Sequence, residues 1–266
     1  MNPREVYPNA PLVSVSFELR HPESEMPTSK QRSLFKDLIR EHLPVMRIRQ
    51  STVQTFEIGP AGPSHQVVNE DVPKYFNREN TMAVSLLKGS TLVETTDYPG
   101  WEKFREIVSA ACQARDRIGG IDGIERIGLR YIDEIRIPGT NATPDWKTYL
   151  NESLLGPRDG GGAGMGLQQW QGMAVYGPES GRSLVLRYAS GDGFAADPNG
   201  ELRRKSPSYP GPFFLLDIDS FWIPESGFPE FSDSLLLAEG DALHAPVRQT
   251  FENLITDQLR NEVLRK

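Results

Sequence analysis

Residues 81–118, TMAVSLLKGSTLVETTDYPGWEKFREIVSAACQARDRI, decide the fold. Two apolar runs, 81–87 and 90–98, flank Lys88-Gly89-Ser90, which is the composition of a β-hairpin. Pro99 and Gly100 stop the second strand. From Trp101 the spacing becomes helical. Trp101, Phe104, Val108, Ala111 and Ile118 share one face, and Glu102, Lys103, Glu106 and Arg115 the other. Gly119-Gly120 closes the helix. A hairpin followed by one long helix belongs to an antiparallel α+β fold, since a doubly wound sheet would alternate single strands with helices.

Toward the N-terminus, Leu12, Val13, Val15, Phe17 and Leu19 form a largely alternating strand pattern bounded by Pro8, Pro11 and Pro22. Ser29 reads as the N-cap of a helix that buries Leu34, Phe35, Leu38 and Ile39 and ends at Pro44. Residues 45–58 read as extended, interrupted by the loop GPAGPS at 59–64.

Toward the C-terminus, 124–137 reads as a strand. Ile127, Leu129, Tyr131, Ile135 and Ile137 point one way, and Arg126, Arg130, Glu134 and Arg136 the other. Residues 145–155 suit a short helix, and RDGGGAGMG (158–166) suits a linker. A hairpin is expected over 167–176 and 183–189, a loop over 190–211, and a strand over 213–223. A closing helix is expected over 241–264, burying Leu243, Val247, Phe251, Leu254, Ile255 and Leu259.

The expected class is therefore α+β, a mainly antiparallel sheet with long helices after hairpins. Two related halves are expected, 1–156 and 167–266, packed together and joined by a Gly-rich linker at 157–166. GLRY (128–131) and VLRY (185–188) hint at internal duplication.

Of 266 residues, 38 % are hydrophobic and 24 % charged, enough apolar material for a core and too much for disorder. No apolar run reaches bilayer-spanning length, and no basic stretch leads into an apolar one near the N-terminus. A cytoplasmic protein without membrane or secretory segment is expected. The net charge is −7, with the acidic excess in the second half, which weakens any general attraction for nucleic acid. Cys112 is the only cysteine, which rules out an intrachain disulfide and a cysteine-based metal cage. It reads as a small buried hydrophobe.

Several features in this order resemble one another's company in a known family. They are Asn9-Ala10-Pro11 before an apolar strand, a helix ending at Pro44, Tyr98 and Trp101-x-x-Phe104. They continue with Arg126-Ile127-Gly128-Leu129-Arg130-Tyr131, Leu216-Asp217-Ile218-Asp219, and a last helix with Phe251 and Leu254-Ile255-Thr256. The chain resembles a sporadically distributed bacterial family of roughly this length, with no assigned activity. That resemblance implies an accessory-gene setting, such as phage defence or a toxin–antitoxin cassette. It implies no reaction.

The four histidines, His21, His42, His65 and His244, have no metal-binding spacing and read as structural. No serine lies in G-x-S-x-G. The Gly-rich segment lacks the P-loop Lys-Ser/Thr and a dinucleotide fingerprint. Asp217 and Asp219 are the leading acidic pair. On a strand they share a face at about 7 Å, a spacing that can hold Mg²⁺ or Mn²⁺ for phosphoryl chemistry or simply meet arginines. Arg126 and Arg130 form a second same-face pair. With Arg187, they could grip an anion or partner bidentately, or pair across the sheet with Asp217, Asp219 or Glu134. Arg47 and Arg49 repeat the spacing, but an RNA-binding face would need aromatics among the arginines, and Tyr131 has the wrong parity.

Lacking a complete catalytic constellation, the chain reads first as a non-enzymatic protein-binding or regulatory component of an accessory system. Its aromatic strand FFLLDIDSFWIP (213–224) offers a docking surface. The alternatives are a metal-dependent nuclease or phosphohydrolase using Asp217 and Asp219, and an oligomeric chaperone-like scaffold assembled through sheet edges or the last helix.

Overall fold

The structure is a computed structural model. It describes residues 6–59, 62–139, 142–157, 160–162, 164–195, 197, 199–204 and 209–266, with backbone alone over 51–59 and 62–70. Arg158, Asp159 and Ala163 of the Gly-rich segment and Pro60 and Ala61 of GPAGPS therefore lie outside the described residues. So do Ala196, Pro198 and 205–208 of the 190–211 loop, and the side chain of His65.

The fold is α+β, as the hairpin-then-helix pattern requires. Among the described residues, nine strands form one antiparallel sheet: β1 (Leu12–Arg20), β2 (Val45–Gly59), β3 (Gly62–Phe76), β4 (Met82–Leu86), β5 (Ser90–Thr95), β6 (Arg126–Ile135), β7 (Trp170–Glu179), β8 (Arg182–Gly193) and β9 (Gly211–Trp222). The helices are α1 (Ser29–Ile39), α2 (Trp101–Arg117), α3 (Asp233–Leu254) and the short α4 (Asp257–Leu259), which runs into a π-helical turn at Arg260–Leu264. No helix among the described residues is long and apolar enough to cross a membrane.

The strand order is β2-β3-β4-β5-β1-β6-β9-β8-β7. It contains a repeat. β1 pairs with β5, the last strand of the meander that follows it, and β6 pairs with β9 in the same way. Each meander leads into a long helix, α2 or α3, and β1 and β6 meet antiparallel at the centre. The repeat breaks between α2 and β6, upstream of the Gly-rich segment. It does not superpose GLRY on VLRY, because β6 answers to β1 and β8 to β4.

Alternation divides each strand between two faces. Val15, Phe17 and Leu19 of β1 face the helices with Val93 of β5 and Leu129 of β6, and Phe17 lies directly between those two. Burying a phenylalanine this fully contributes about 1.5–3 kcal/mol. Tyr75 on the same face packs against Phe35 of α1 at 4.7 Å. Trp101 of α2 and Phe17 both come close to Gly240 of α3. A Cβ there would stand 3.4 Å from the indole, so the small residue permits the helix to approach.

Helix ends follow local chemistry. Thr28, not Ser29, caps α1 in a capping box with Gln31, whose Nε2 also donates to the Ile118 carbonyl at 2.6 Å and so ties α1 to the end of α2. α3 begins at Asp233 under the Ser232 cap, eight residues before the expected start, and breaks at Ile255 instead of continuing to 264. The expected helix over 145–155 is two short 3₁₀ turns, Trp146–Thr148 and Glu152–Leu154, capped separately by Asp145 and Asn151. A strand missing from the expectations, β3, pairs with β2 along its whole length.

Candidate functional site

Among the described residues no helix packs on the sheet's second face. Its charged residues come from strands whose alternation puts their apolar neighbours under α1–α3. Here Arg126, Arg130, Arg187, Asp217 and Asp219 converge, because β9 lies between β6 and β8.

Arg130 donates to Asp217 through Nε at 2.6 Å and Nη2 at 2.7 Å, a bidentate pair. Hydrogen bonding to Asp217 raises the Arg130 pKa above its ordinary value. Arg187 reaches the same carboxylate from β8 through Nη1 at 3.5 Å. Arg126 donates to both oxygens of Asp219 at 3.1 Å and to Glu18 of β1 at 3.1 Å, and its guanidinium lies 4.7 Å from the centre of the Phe221 ring.

The pairing is diagonal. Register sets Arg130 opposite Asp219 and Ile132 opposite Asp217, yet each arginine leans along the strand to the next carboxylate. Gly128 makes this feasible: a Cβ there would fall 2.2 Å from Arg126 Nη1. The glycine leaves an empty row across which Arg126 folds. The echo of GLRY and VLRY finds its explanation here. The arginine of each tetrapeptide flanks β9 and reaches Asp217, so what the two segments share is a counter-ion.

The charges are layered. The Asp217 side chain is 6 % exposed and Asp219 17 %, whereas Arg130 and Arg187 are 45 % and 43 % exposed. Carboxylates lie beneath and guanidiniums stand above them. A cation at Asp217 would have to displace the bidentate Arg130. Among the described residues no group of three or more metal-binding side chains is assembled.

A second cluster on this face escaped sequence reasoning. After β8, described residues of the connecting strap lie on the open face, Ala195 beside Glu134, and Glu201 and Arg203 beside the β3–β4 turn. Ala195 N donates to Glu134 at 3.2 Å, and Arg203 N donates to the Asn80 carbonyl at 2.7 Å. Asn80 Nδ2 donates to the Glu201 carbonyl at 2.9 Å. The Glu201 carboxylate then accepts from Arg49 Nε at 2.5 Å and Lys74 Nζ at 2.6 Å. No local pattern marks Glu201, because its partners are distant in sequence. Near the start and end of this strap, Arg136 donates to Glu134 and to the carbonyls of Gly193 and Gly211.

On the helix-covered face, Tyr98 and Tyr131 share a 2.8 Å hydrogen bond, and His244 stacks on Trp101 at 4.7 Å. Cys112 is fully buried in α2, and burial pushes its thiol pKa up. The sheet's free edges are β2 and β7. β7 carries no charged side chain over 170–178 and exposes Met173, Val175 and Tyr176.

No protein-family model matches the chain, and no curated protein matches it.

Proposed function

We propose that the chain is a non-enzymatic binding protein whose open sheet face docks an acidic segment of a protein partner. The supporting observation is the layering of charge: half-exposed Arg130 and Arg187 stand over the buried carboxylate of Asp217. Asp217 holds the Arg130 guanidinium by two short contacts and meets that of Arg187 at 3.5 Å, and both side chains stay about half exposed. The cluster of Arg126, Arg130 and Arg187 with Glu18, Asp217 and Asp219 is balanced in charge, but its cations stand outermost. Preset arginines lose little freedom when they engage a carboxylate, which favours recognition over loose attraction. Arg126 fills a different role. Stacked on Phe221 and shared by Asp219 and Glu18, it ties β1, β6 and β9 together beneath the docking surface. The accessory-gene setting implied by the family resemblance suits a protein that acts by holding another.

The test is anisotropy of a labelled decaglutamate peptide against the full chain. Saturable binding is expected, weakening with salt and falling at least tenfold in Arg130→Ala/Arg187→Ala. Equal binding by wild type and double variant would refute the reading.

A further inference from the structure

Beneath Glu201 the open face holds a cavity of about 500 Å³, within the range of small-molecule sites. Register builds it. Lys74, Ser85 and Leu92 lie side by side on β3, β4 and β5, and Arg49 of β2 is opposite Val72 of β3. Val72, Leu87 and Leu92 give it apolar walls, and Arg49 and Lys74 supply two cations.

Two independent features point to a ligand. The first is Ser85, a cavity-lining residue that is 1 % exposed and whose Oγ makes no hydrogen bond. A buried hydroxyl without a partner costs stability and is explained where something else supplies the partner. The second is Glu201. Its carboxylate bridges the two cations, one oxygen to each, as the carboxylate of a bound acid would. The strap backbone is held separately, through Asn80, so the Glu201 side chain can swing away while its backbone stays.

We propose that this cavity binds a small organic monocarboxylic acid, whose carboxylate replaces that of Glu201 between Arg49 and Lys74. The acid's apolar body lies against Val72, Leu87 and Leu92, and Ser85 Oγ hydrogen-bonds to it. A carboxylate fits better than a phosphate, because Glu94 is close enough to Lys74 and Glu201 for their charges to act on it, and a dianion beside Glu94 would be repelled. Glu201 is then a tethered competitor that sets the concentration at which the acid enters. This site is separate from the arginine surface and does not depend on it.

The experiment is calorimetric titration of the full chain with hexanoate, with acetate and inorganic phosphate as comparisons. Glu201→Gln removes the competitor while keeping the side-chain shape. Hexanoate is expected to bind Glu201→Gln about threefold more tightly than wild type and more tightly than acetate. Lys74→Met placed in the Glu201→Gln background should abolish that binding. The proposal is overturned if neither protein binds hexanoate saturably, or if Lys74→Met leaves binding intact. Phosphate binding as tight as hexanoate, or acetate equal to hexanoate, would overturn the ligand class.

Discussion

Asp133 and Glu134 are neighbours on β6 and equally buried, yet they live on opposite faces of the sheet and in opposite electrostatic worlds. Glu134 points to the open face, where Arg136 meets it at 2.7 Å and Arg204 at 3.7 Å. Asp133 points under the helices, opposite Leu12 and Leu216, and burial alone pushes its pKa up to about 7. One residue of parity separates a compensated carboxylate from an uncompensated one. On the open face Glu134 is matched by cations that reach outward; under the helices Glu239 of α3 is met by Arg182 at 2.8 Å, whereas among the described residues no such pair is formed at Asp133. The open face thus carries charged side chains in pairs, and the other face packs as a core.

The largest effect expected from breaking this contrast is at Asp133. Its folded pKa lies above its unfolded value near 3.8, so the folded state retains a proton that the unfolded state releases. Stability is fully present below pH 4 and falls as pH rises to about 7, by up to about 4 kcal/mol. Asp133→Asn should flatten that slope, measured as urea midpoints between pH 4.5 and 8. An unchanged slope would mean that another group titrates.

Next in size is Arg130→Ala. It strips the two-point contact from a 6 % exposed carboxylate and leaves only the 3.5 Å approach of Arg187. Unpairing a buried charge costs about 3–5 kcal/mol, reduced here to about 2 because Arg130 itself is half exposed. Chemical denaturation at pH 7 reads this loss directly. A cost below about 0.5 kcal/mol would mean that Asp217 is not held as described.

Gly128→Val should cost about 1–2 kcal/mol by driving Arg126 out of the empty row. Adding Arg126→Ala should recover part of that loss. Strictly additive costs in the double variant would show that the two residues do not interact.

The smallest effect is expected at Glu201→Gln. These two contacts join a loop to exposed Arg49 and partly buried Lys74, and such pairs contribute about 0–1 kcal/mol. A melting temperature within a few degrees of wild type is expected. A loss as large as that of Arg130→Ala would mean that the strap braces the sheet.

Periodicity made much of this legible. The 81–118 hairpin and helix, and the parity of β6, could be read because both buried patterns are strict. β3 went unread because Pro63, Pro73 and its scattered polar residues break the alternation; its pairing with β2, in which Pro73 lies opposite Ile48, defines it. The sequence places α3 eight residues late at its start, where Gly240 resembles a break but admits Trp101, and ten residues late at its end, where the chain breaks at Ile255. In 145–155, two caps six residues apart reset the chain before a helix can propagate. The arginines and aspartates were legible as same-face pairs. Their meeting was not, because strand order has no local signature. Neither has the Glu201 site, whose parts come from β2, β3, β4, β5 and the strap.

The central seam between β1 and β6 also sets a schedule. The chain emerges N-terminal half first, and Val15 can find Thr95 as soon as β5 is made. The other side of β1 must wait for Arg126–Ile135. Until then the nascent half holds an unpaired inner edge, with the backbone around Ser14, Ser16 and Glu18 open to any passing strand. Synthesis paused after α2, or a chain cut near residue 120, would leave that edge uncovered. The fold thus carries its aggregation hazard at its middle, during a window that closes when the second half arrives.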